Sequence, residues 1–328
     1  MQRLLARLAL LATLCAIAIA RPATAEDKVA TLRLDWAYYS PVSLVLRDQG
    51  WMEQEFAKDG TKIEWVLSLG SNKALEFLNG NAVDFGSSAG AAALLAKANG
   101  VPIKAVYIFD KPEWTALVTL KDSPIHKVED LKGKRIAVTR GTDPHIFLLR
   151  ALALHGLKTQ DVKMVLLQHP DGRVALERGD VDAWAGLDPY MAETELERGS
   201  RLFFRDADLN TYGFLNVRED FAAAHPRLVE RVLAVYERAR QWSLAHKDEL
   251  RAIVAKAAKL SDAVAAKDLE RNDLSSGMIG AKQRETIIAA GAVLKESGVI
   301  PAETDVAKTA DALIDPQYIT RVVAEARQ

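Results

Sequence analysis

The chain has 328 residues, with 43 Lys and Arg against 44 Asp and Glu, a formal charge of −1, and a single cysteine. This length is enough for one large or two medium domains, and the balanced charge excludes a nucleic acid or an anionic membrane as the expected partner. Cys15 precedes the expected mature chain, which therefore lacks disulfides, thiolate metal sites and cysteine nucleophiles.

The N-terminus has the pattern of a secretory signal peptide. Two arginines precede an apolar run over residues 8–20, and Ala23-Thr24-Ala25 forms a small-residue cleavage signal. We therefore expect cleavage after Ala25 and export of the mature chain. The apolar run is too short to predict a transmembrane helix, and we expect no direct membrane insertion elsewhere.

Strand and helix signals alternate in the first part of the chain. Apolar or alternating runs predict strands, and capping residues or proline predict helix starts. The predicted strands are residues 31–36, 62–67, 83–86, 104–109 and 115–120. The predicted helices begin at Ser40-Pro41 and cover residues 70–79 and 89–99. This alternation favours an α/β architecture with mostly parallel sheets.

A glycine turn joins a short strand to a helix near the middle of the chain. Residues 135–138 predict a buried strand, and residues 145–155 predict a helix with one apolar face. Gly141 lies between them, with Thr142 and Asp143 among the possible helix caps. Such a turn leaves backbone N–H groups at the positive end of the helix dipole, which favours an anion. An ordinary capped turn that binds nothing has the same pattern, so this stretch alone leaves both interpretations open.

The alternation repeats once more and is followed by a helical tail. Strands are predicted at residues 164–167, 181–185, 201–204 and 214–217, with helices at 171–178 and 189–198. From residue 226 the predicted helices are 226–246, 249–260, 263–271, 282–297 and 307–313. Because the tail lacks predicted strands, it must pack on an existing sheet. We predict one lobe from residues 28–114 plus 215–328 and a second from residues 115–214.

Polar side chains follow several of the predicted strands. In open α/β sheets, ligands bind outside the carboxyl ends of the strands, so two facing lobes would direct these turns into one cleft. The residues concerned are Tyr39, Ser40, Ser71, Asn72, Ser87, Ser88, Thr142 and Asp143. Trp114 lies near the first passage between lobes, where it would wall the cleft, and Trp184 lies in a predicted strand-to-helix turn. Core packing is an equally good interpretation of both tryptophans.

Patterns of catalysis and metal binding are absent from the sequence. There is no Walker loop, no Gly-x-Ser-x-Gly and no His-Glu-x-x-His, and the six histidines are scattered without metal-ligand spacing. His145 would approach the proposed cleft, but its position four residues after Gly141 favours the first helical turn. We therefore expect a binding protein with no cofactor and no metal, and not an enzyme.

Two motifs resemble the aliphatic-sulfonate-binding proteins of bacterial ABC importers. The first is DLKGKRIAV at residues 130–138, followed by Arg140-Gly141-Thr142 and LLRAL at residues 148–152. The second is GDVDAW at residues 179–184, followed by Asp188-Pro189-Tyr190. The resemblance covers nearly all of the mature chain and extends to the wider group that binds sulfonates, taurine and nitrate.

This resemblance implies a two-lobed periplasmic binding protein of type II, with two crossover strands and a helical C-terminal tail on the first lobe. It would be a monomer in the periplasm that closes on a small organic anion, an aliphatic sulfonate, and delivers it to an ABC permease and its ATPase. Taurine, nitrate or a pyrimidine-type solute, or a sensing role, stay open as alternatives. An enzyme like the thiamine-pyrimidine synthases is disfavoured by the export signal and the cysteine-free mature chain.

The resemblance also implies which residues hold the ligand. By position, hydroxyls and helix N-terminal amides at Ser71, Ser87, Ser88, Gly141 and Thr142 would hold the anion, with Trp184 beside its organic part. Asp188 belongs to the second motif and is a further candidate, and the Gly186-Leu187 pair before it leaves the ligand size open.

Asp143 departs from the small hydroxyl residues that are common after the glycine in this family. A carboxylate there would repel an anion unless it caps the helix that starts near Pro144 or pairs with Arg140. Alternatively, it would hold the amino group of a ligand such as taurine. We favour the capping role, because Asp before a proline at the first helical position is a common helix start.

Overall fold

The computed structural model describes residues 28–326. The expected signal peptide, its cleavage site after Ala25 and Cys15 therefore lie outside the described residues. Within residues 28–326, no helix combines the length and the apolar character that crossing a membrane requires.

Strands and helices alternate through the first two thirds of the described chain. The strands are β1 (Thr31–Trp36), β2 (Lys62–Leu67), β3 (Phe85–Ala89), β4 (Ile103–Pro112), β5 (Leu117–Thr119), β6 (Arg135–Val138), β7 (Lys163–Leu166), β8 (Ala183–Ala185), β9 (Arg201–Phe204), β10 (Gly213–Arg218) and β11 (Asn272–Asp273). The helices before β10 are α1 (Pro41–Gln49), α2 (Trp51–Phe56), α3 (Ser71–Asn79), α4 (Gly90–Ala98), α5 (Asp143–Leu154), α6 (His169–Arg178) and α7 (Tyr190–Arg198). The tail contains α8 (Glu219–Ala224), α9 (Pro226–Ala245), α10 (Lys247–Ala258), α11 (Asp262–Leu269), α12 (Ala281–Glu296), α13 (Val306–Leu313) and α14 (Gln317–Glu325).

The first sheet has six strands in the order β11-β4-β10-β3-β1-β2. β1 is parallel to β2 and β3, whereas β10 is antiparallel to β3 and β4, and β11 is antiparallel to β4. Side chains of the tail helices α9, α10, α13 and α14 share one large apolar core with this sheet. The tail therefore packs on the first sheet, to which it adds the unpredicted two-residue strand β11.

The second sheet has five strands in the order β7-β6-β8-β5-β9. β6 is parallel to β7 and β8, and β5 is antiparallel to β8 and β9. Separate apolar cores cover its two faces. One contains Phe147 and Leu148 of α5, and the other contains Leu176 of α6 and Met191 of α7. We call the part of the chain built on each sheet the first and the second lobe.

Both sheets are mixed, but most strands of each run in one direction, as predicted: only β10 and β11 run against the first sheet and β5 against the second. Of these, β5 and β10 lie at the two passages of the chain between the sheets, from β4 to β5 and from β9 to β10. β10 returns from the second sheet and inserts between β3 and β4, against the direction of both. Hydrophobic patterning reports that a segment is a strand but not its direction, so the sequence carried no signal for this arrangement.

β3 is displaced from its predicted position at residues 83–86. It runs over Phe85–Ala89, so Ser87 and Ser88 lie inside the strand instead of in the turn after it. Their backbones pair with Leu215 and Phe214 of β10. The displacement follows from pairing with a strand more than 120 residues away, which a local sequence pattern does not show.

Most other elements occur within a few residues of their predicted bounds, and Arg135–Val138 and Arg201–Phe204 match them fully. The helices α2, α8 and α14 were not predicted. α2 follows α1 after Gly50 alone, whose φ of +63° ends the first helix and redirects the chain. α8 has only six residues, which is too short for a helical period to stand out.

Candidate functional site

Four helices begin at strand ends without a side-chain cap. α1 and α3 follow β1 and β2 of the first sheet, whereas α5 and α6 follow β6 and β7 of the second. Their N-cap residues are Ser40, Gly70, Thr142 and Gln168, and none of these side chains bonds a first-turn N–H group. Uncapped N–H groups at the positive end of a helix dipole favour an anion. Each lobe thus offers two such helix starts.

Contacts between the lobes bring three of these helix starts together. A Cβ atom built on Gly70 would lie 2.9 Å from His169 Nε2, and one built on Gly141 would lie 3.9 Å from Asn72 Cβ. Gly70 and Asn72 belong to the start of α3, whereas Gly141 precedes α5 and His169 begins α6. The carboxyl ends of β2, β6 and β7 therefore face one gap between the lobes, the usual place for a ligand in α/β proteins.

Ser71 presents a usable hydroxyl at the start of α3. Its Oγ accepts a hydrogen bond of 3.0 Å from the backbone N–H of Ala89, and no hydrogen bond among residues 28–326 uses its O–H hydrogen. The residue is 7% exposed, so an acceptor that enters the gap would be shielded from water. The hydroxyl hydrogen of Ser71 is therefore available, and its role as a donor to an anion stays a prediction.

Tyr39 and Ser87 belong to a buried network in the first lobe. The Tyr39 hydroxyl donates to the Ser87 carbonyl oxygen at 3.1 Å, and Ser87 Oγ donates to Asp35 Oδ2 at 2.8 Å. Burial raises the pKa of Asp35 to about 7, against the opposing hydrogen bonds from Ser87 and Ser68. Both hydroxyl hydrogens are thus used inside the lobe, which corrects the prediction that they donate to the ligand.

Ser88 does not head a helix as the sequence suggested. It lies in β3 with no exposed surface, and its Oγ accepts a hydrogen bond of 2.9 Å from Asn216 Nδ2 of the neighbouring strand β10. The following helix α4 begins at Gly90, and its first N–H groups bind the crossover segment before β10. Ser88 and α4 are therefore not part of the set of uncapped helix starts.

Gly141 and Thr142 shape the turn before α5. Gly141 has a φ of +79°, which a residue with a side chain adopts only with strain. The Thr142 hydroxyl donates to the Thr139 carbonyl oxygen at 2.6 Å, so it holds the turn and does not cap the helix. The Gly141 backbone N–H donates to His145 Nδ1 at 3.5 Å, so the backbone N–H groups after Gly141 are what remains for an anion. Arg140 is exposed and makes no ion pair with a described residue.

Asp143 neither caps its own helix nor pairs with Arg140, so the predicted capping role is wrong. It is the first residue of α5 and is 2% exposed. Its Oδ2 accepts hydrogen bonds from Trp114 Nε1 at 3.0 Å and from the Thr211 backbone N–H at 2.9 Å. Its Oδ1 accepts one from Thr211 Oγ1 at 2.7 Å. Trp114 and Thr211 lie in the two crossover segments, so Asp143 joins both crossovers to the second lobe.

Asp188 is likewise occupied by internal partners. It is 1% exposed and forms an ion pair of 2.9 Å with Arg271 of the tail, while its Oδ1 accepts from the Ala192 N–H in α7 at 2.9 Å. Arg271 also pairs with Glu195 of α7. Asp188 therefore joins the two lobes and is not free to contact a ligand, contrary to the prediction.

The two tryptophans have different positions. Trp114 is buried between the lobes, where its ring meets Tyr39 edge to face at 5.9 Å, consistent with a wall of the gap. Trp184 lies inside β8, not in a turn, and is fully buried against Gly172 of α6 in a core of the second lobe. The interpretation of Trp184 as core holds, and its predicted place beside the organic part of a ligand is wrong.

Some of the buried polar atoms without partners belong to residues at the helix starts. Ser40 Oγ, Asn72 Oδ1 and both ring nitrogens of His169 have no hydrogen-bond partner among residues 28–326. Buried polar groups are usually paired, so such atoms mark a place that a ligand or water completes. His169 was not among the predicted site residues. It nevertheless follows the predicted strand 164–167, and the carboxyl ends of strands are where ligands bind in α/β sheets. Among the described residues, no group of His, Cys, Asp or Glu side chains is arranged to hold a metal ion.

Comparison with known proteins places the chain in a family. Residues 44–250 match the NMT1/THI5 like family model, and the chain belongs to this family. A protein of Escherichia coli K12 named for aliphatic sulfonate binding is 28% identical over 86% of this chain and 89% of its own length.

Two solved structures share the fold at high similarity. The alkanesulfonate-binding protein of Xanthomonas axonopodis pv. citri, solved with MOPS bound, is 26% identical with a TM-score of 0.80, over 88% of this chain and 99% of its own. The periplasmic aliphatic sulphonate binding protein of Escherichia coli is 27% identical with a TM-score of 0.75, over 88% of this chain and 93% of its own. These relatives are binding proteins, not enzymes, and they confirm the predicted family resemblance and the two-lobed α/β fold.

Proposed function

We propose that this member of the NMT1/THI5 like family is the solute-binding receptor of an ABC importer and that it captures an aliphatic sulfonate between its two lobes. The names of the sulfonate-binding relatives support the solute class, and the periplasmic relative supports the compartment. The receptor then delivers the solute to a membrane permease and, through it, to the ATPase.

The observation that carries the proposal is the set of uncapped helix starts on both lobes. Each helix N-terminus contributes about 0.3–1 kcal/mol to anion binding, and up to ~2 kcal/mol when partly buried. A hydroxyl bond such as that of Ser71 adds about 0.5–3 kcal/mol. The three helix starts that meet at the gap and this hydroxyl together reach the roughly 8 kcal/mol of micromolar binding at the upper end of these ranges. Because α3 belongs to one lobe and α5 and α6 to the other, full binding requires the closed arrangement.

A sulfonate suits these donors better than most small anions. It is tetrahedral, permanently charged and unable to donate a hydrogen bond, so its three oxygens accept from donors on several sides. The carboxylates of Asp143 and Asp188, which lie at the contact between the lobes, already accept hydrogen bonds from internal donors. Their charges are therefore compensated without the ligand.

The organisation of the mature chain follows from the same proposal. Cleavage after Ala25 would release a periplasmic monomer, with residues 28–114 plus 215–328 as the first lobe and residues 115–214 as the second. Strands of the first sheet fall in residues 31–112 and 213–273, and strands of the second in residues 117–204, which supports this division. Segments around Glu113 and Asn210 would then be the hinge.

The proposal is tested by placing a charge at one helix start. Thr142→Asp puts a carboxylate at the N-cap of α5, where it satisfies the free N–H groups and repels an anion. Thr142→Asn is the matched control, because it caps the helix with a similar shape and no charge. We expect alkanesulfonate affinity, measured by titration calorimetry, to fall at least a hundredfold in Thr142→Asp relative to Thr142→Asn.

The stability of each variant is measured alongside its affinity. Both variants should remain folded in thermal unfolding, since Asn and Asp are favoured caps. Equal alkanesulfonate affinity in two folded variants would move the anion site away from α5. A wild-type protein that binds no sulfonate at all would overturn the proposed solute class.

A further inference from the structure

His169 is a fully buried polar residue that the anion-binding arrangement does not use. It is the first residue of α6, it has no exposed surface, and neither Nδ1 nor Nε2 has a hydrogen-bond partner among residues 28–326. A buried imidazole with two unpaired nitrogens is costly unless something else in the functional state fills those bonds.

The surroundings of His169 form a built site at the contact between the lobes. A Cβ atom on Gly70 would lie 2.9 Å from both His169 Nε2 and Asn72 Oδ1, so the absence of a side chain at Gly70 leaves room for both. The Gly70 φ of 170° is ordinary extended backbone, so the glycine is required for space and not for conformation. Asn72 Oδ1 is itself buried and unpaired. Two unpaired polar side chains, one from each lobe, thus meet beside the start of α3.

The chemistry of a neutral imidazole decides what fits this site. Burial lowers the pKa of His169 to about 3, so the ring is neutral at physiological pH. A neutral imidazole has one N–H donor and one acceptor nitrogen, whichever tautomer is present. A sulfonate group only accepts hydrogen bonds, so it can satisfy the donor but never the acceptor. A water molecule can supply the missing donor, and so can a donor elsewhere on the ligand.

We propose that His169, together with Asn72, recognises a hydrogen-bond donor on the carbon chain of the sulfonate. The preferred substrates are then hydroxyalkane- or aminoalkanesulfonates, in contrast to plain alkanesulfonates. This inference rests on the proposed function, because it assumes that a sulfonate occupies the gap between the lobes. Asp143 does not take this role, since its two oxygens already accept three hydrogen bonds.

Three ligands of equal length separate this inference from the proposed function. Ethanesulfonate, 2-hydroxyethanesulfonate and 2-aminoethanesulfonate share the two-carbon sulfonate and differ only in a terminal hydrogen, hydroxyl or ammonium group. Ethanesulfonate offers no donor to the acceptor nitrogen of His169, and a nitrogen left buried and unpaired costs more than a typical hydrogen bond contributes. We therefore expect the wild-type protein to bind at least one donor-bearing ligand about tenfold tighter than ethanesulfonate. The affinities of the two donor-bearing ligands then show whether the site prefers a hydroxyl or an ammonium group.

Variants of His169 assign the preference to this residue. The ratio compared is the dissociation constant of ethanesulfonate divided by that of the preferred donor-bearing ligand. In His169→Leu this ratio should fall to near one, because no acceptor remains. His169→Gln keeps a donor and an acceptor and should keep part of the ratio. Gly70→Ala offers a second route, since its Cβ would displace the ring and also reduce the ratio. His155→Leu is the control at the half-buried C-terminal end of α5, away from the gap, and it should leave the ratio unchanged.

Each outcome has one interpretation. A tenfold preference that disappears in a folded His169→Leu variant supports the inference, and Gly70→Ala decides if His169→Leu does not fold. Equal binding of all three ligands by the wild-type protein, or a preference that survives the deciding variant, overturns it while the proposed function stands. If the wild-type protein binds none of the three, the proposed function fails and the inference fails with it.

Discussion

Replacement of Asp143 by asparagine tests whether this carboxylate, beside the proposed anion site, contacts the ligand. In the structure its two oxygens accept three hydrogen bonds, two from Thr211 and one from Trp114. Asparagine keeps the shape and one acceptor oxygen, which can serve the two N–H donors that now bind Oδ2. Its amide group then faces the Thr211 hydroxyl, whose hydrogen loses its acceptor.

The expected effect on affinity is small because the charge is already compensated. A bare carboxylate about 5 Å from a sulfonate would repel it by about 3 kcal/mol at an effective dielectric constant near 20, or roughly two orders of magnitude in affinity. Here three donors point at the carboxylate, and the cation of Arg150 also favours its charged form. We therefore expect Asp143→Asn to change alkanesulfonate affinity by less than about fivefold, roughly 1 kcal/mol.

The effect on stability is larger and depends on pH. The unpaired Thr211 hydroxyl should cost about 1–3 kcal/mol. Burial raises the pKa of Asp143 above its ordinary value, so in the wild-type protein this group stabilises the fold most at low pH and loses that contribution as pH rises through its folded pKa. In the variant, the free energy of unfolding lacks this dependence on pH. The difference between wild-type and variant stability should therefore be larger at pH 4 than at pH 7.

Calorimetric titration with ethanesulfonate and 2-aminoethanesulfonate, combined with urea unfolding at both pH values, measures these effects. Asp180→Asn, an exposed carboxylate in the turn before β8, is the control and should change neither quantity. A large gain for ethanesulfonate with a matching loss for the amino ligand would show that Asp143 contacts the ligand. The internal hydrogen bonds assigned to it would then not persist in the bound state.

Two further perturbations test buried charges elsewhere in the structure. The pKa of Asp35 is raised to about 7, so its charged form penalises the fold increasingly from pH 4 to pH 7. Asp35→Asn should remove that dependence on pH, and the roughly 4 kcal/mol that it relieves at pH 8 is offset by about 1–3 kcal/mol for the Ser87 group that loses its acceptor. An unchanged slope in thermal unfolding from pH 5 to 8 would contradict this. Arg271→Met leaves Asp188 and Glu195 without their cation and should cost about 3–5 kcal/mol in urea unfolding. A loss below about 1 kcal/mol would show that the ion pair does not hold the lobes together.

The helix starts were predictable because their signals are local. β6, the Gly141 turn and the helix after it lie within some twenty consecutive residues, and the apolar strand, the glycine and the helical period all appear in that window. The start of α3 at Ser71 has the same kind of signal. Where a helix start depends on one strand followed by one helix, the sequence was sufficient to predict it, and anion binding at these starts stays a prediction.

The roles of individual side chains were not predictable when the partner is distant. Asp143 was expected to cap its helix, but its partner Thr211 is 68 residues further along the chain. Ser87 and Ser88 were expected in a turn, but pairing with β10 draws them into a strand. Trp184 was placed in a turn although it lies within the strand predicted at residues 181–185, and only the packing of α6 shows which face of the sheet it occupies.

The two carboxylates at the starts of lobe-two helices share one physical role. Asp143 begins α5 and Asp188 precedes α7, so both lie where a helix dipole favours a negative charge. Each is also bonded to groups outside the second lobe, Asp143 to the crossover residues and Asp188 to Arg271 of the tail. Asp188 further donates its backbone N–H to the Trp114 carbonyl oxygen, which places both carboxylates around the same crossover residue. Free carboxylates at these positions would repel a bound anion. Because both carboxylates are instead bonded across the crossover, they join the lobes, and the starts of α3, α5 and α6 stay available for the proposed ligand.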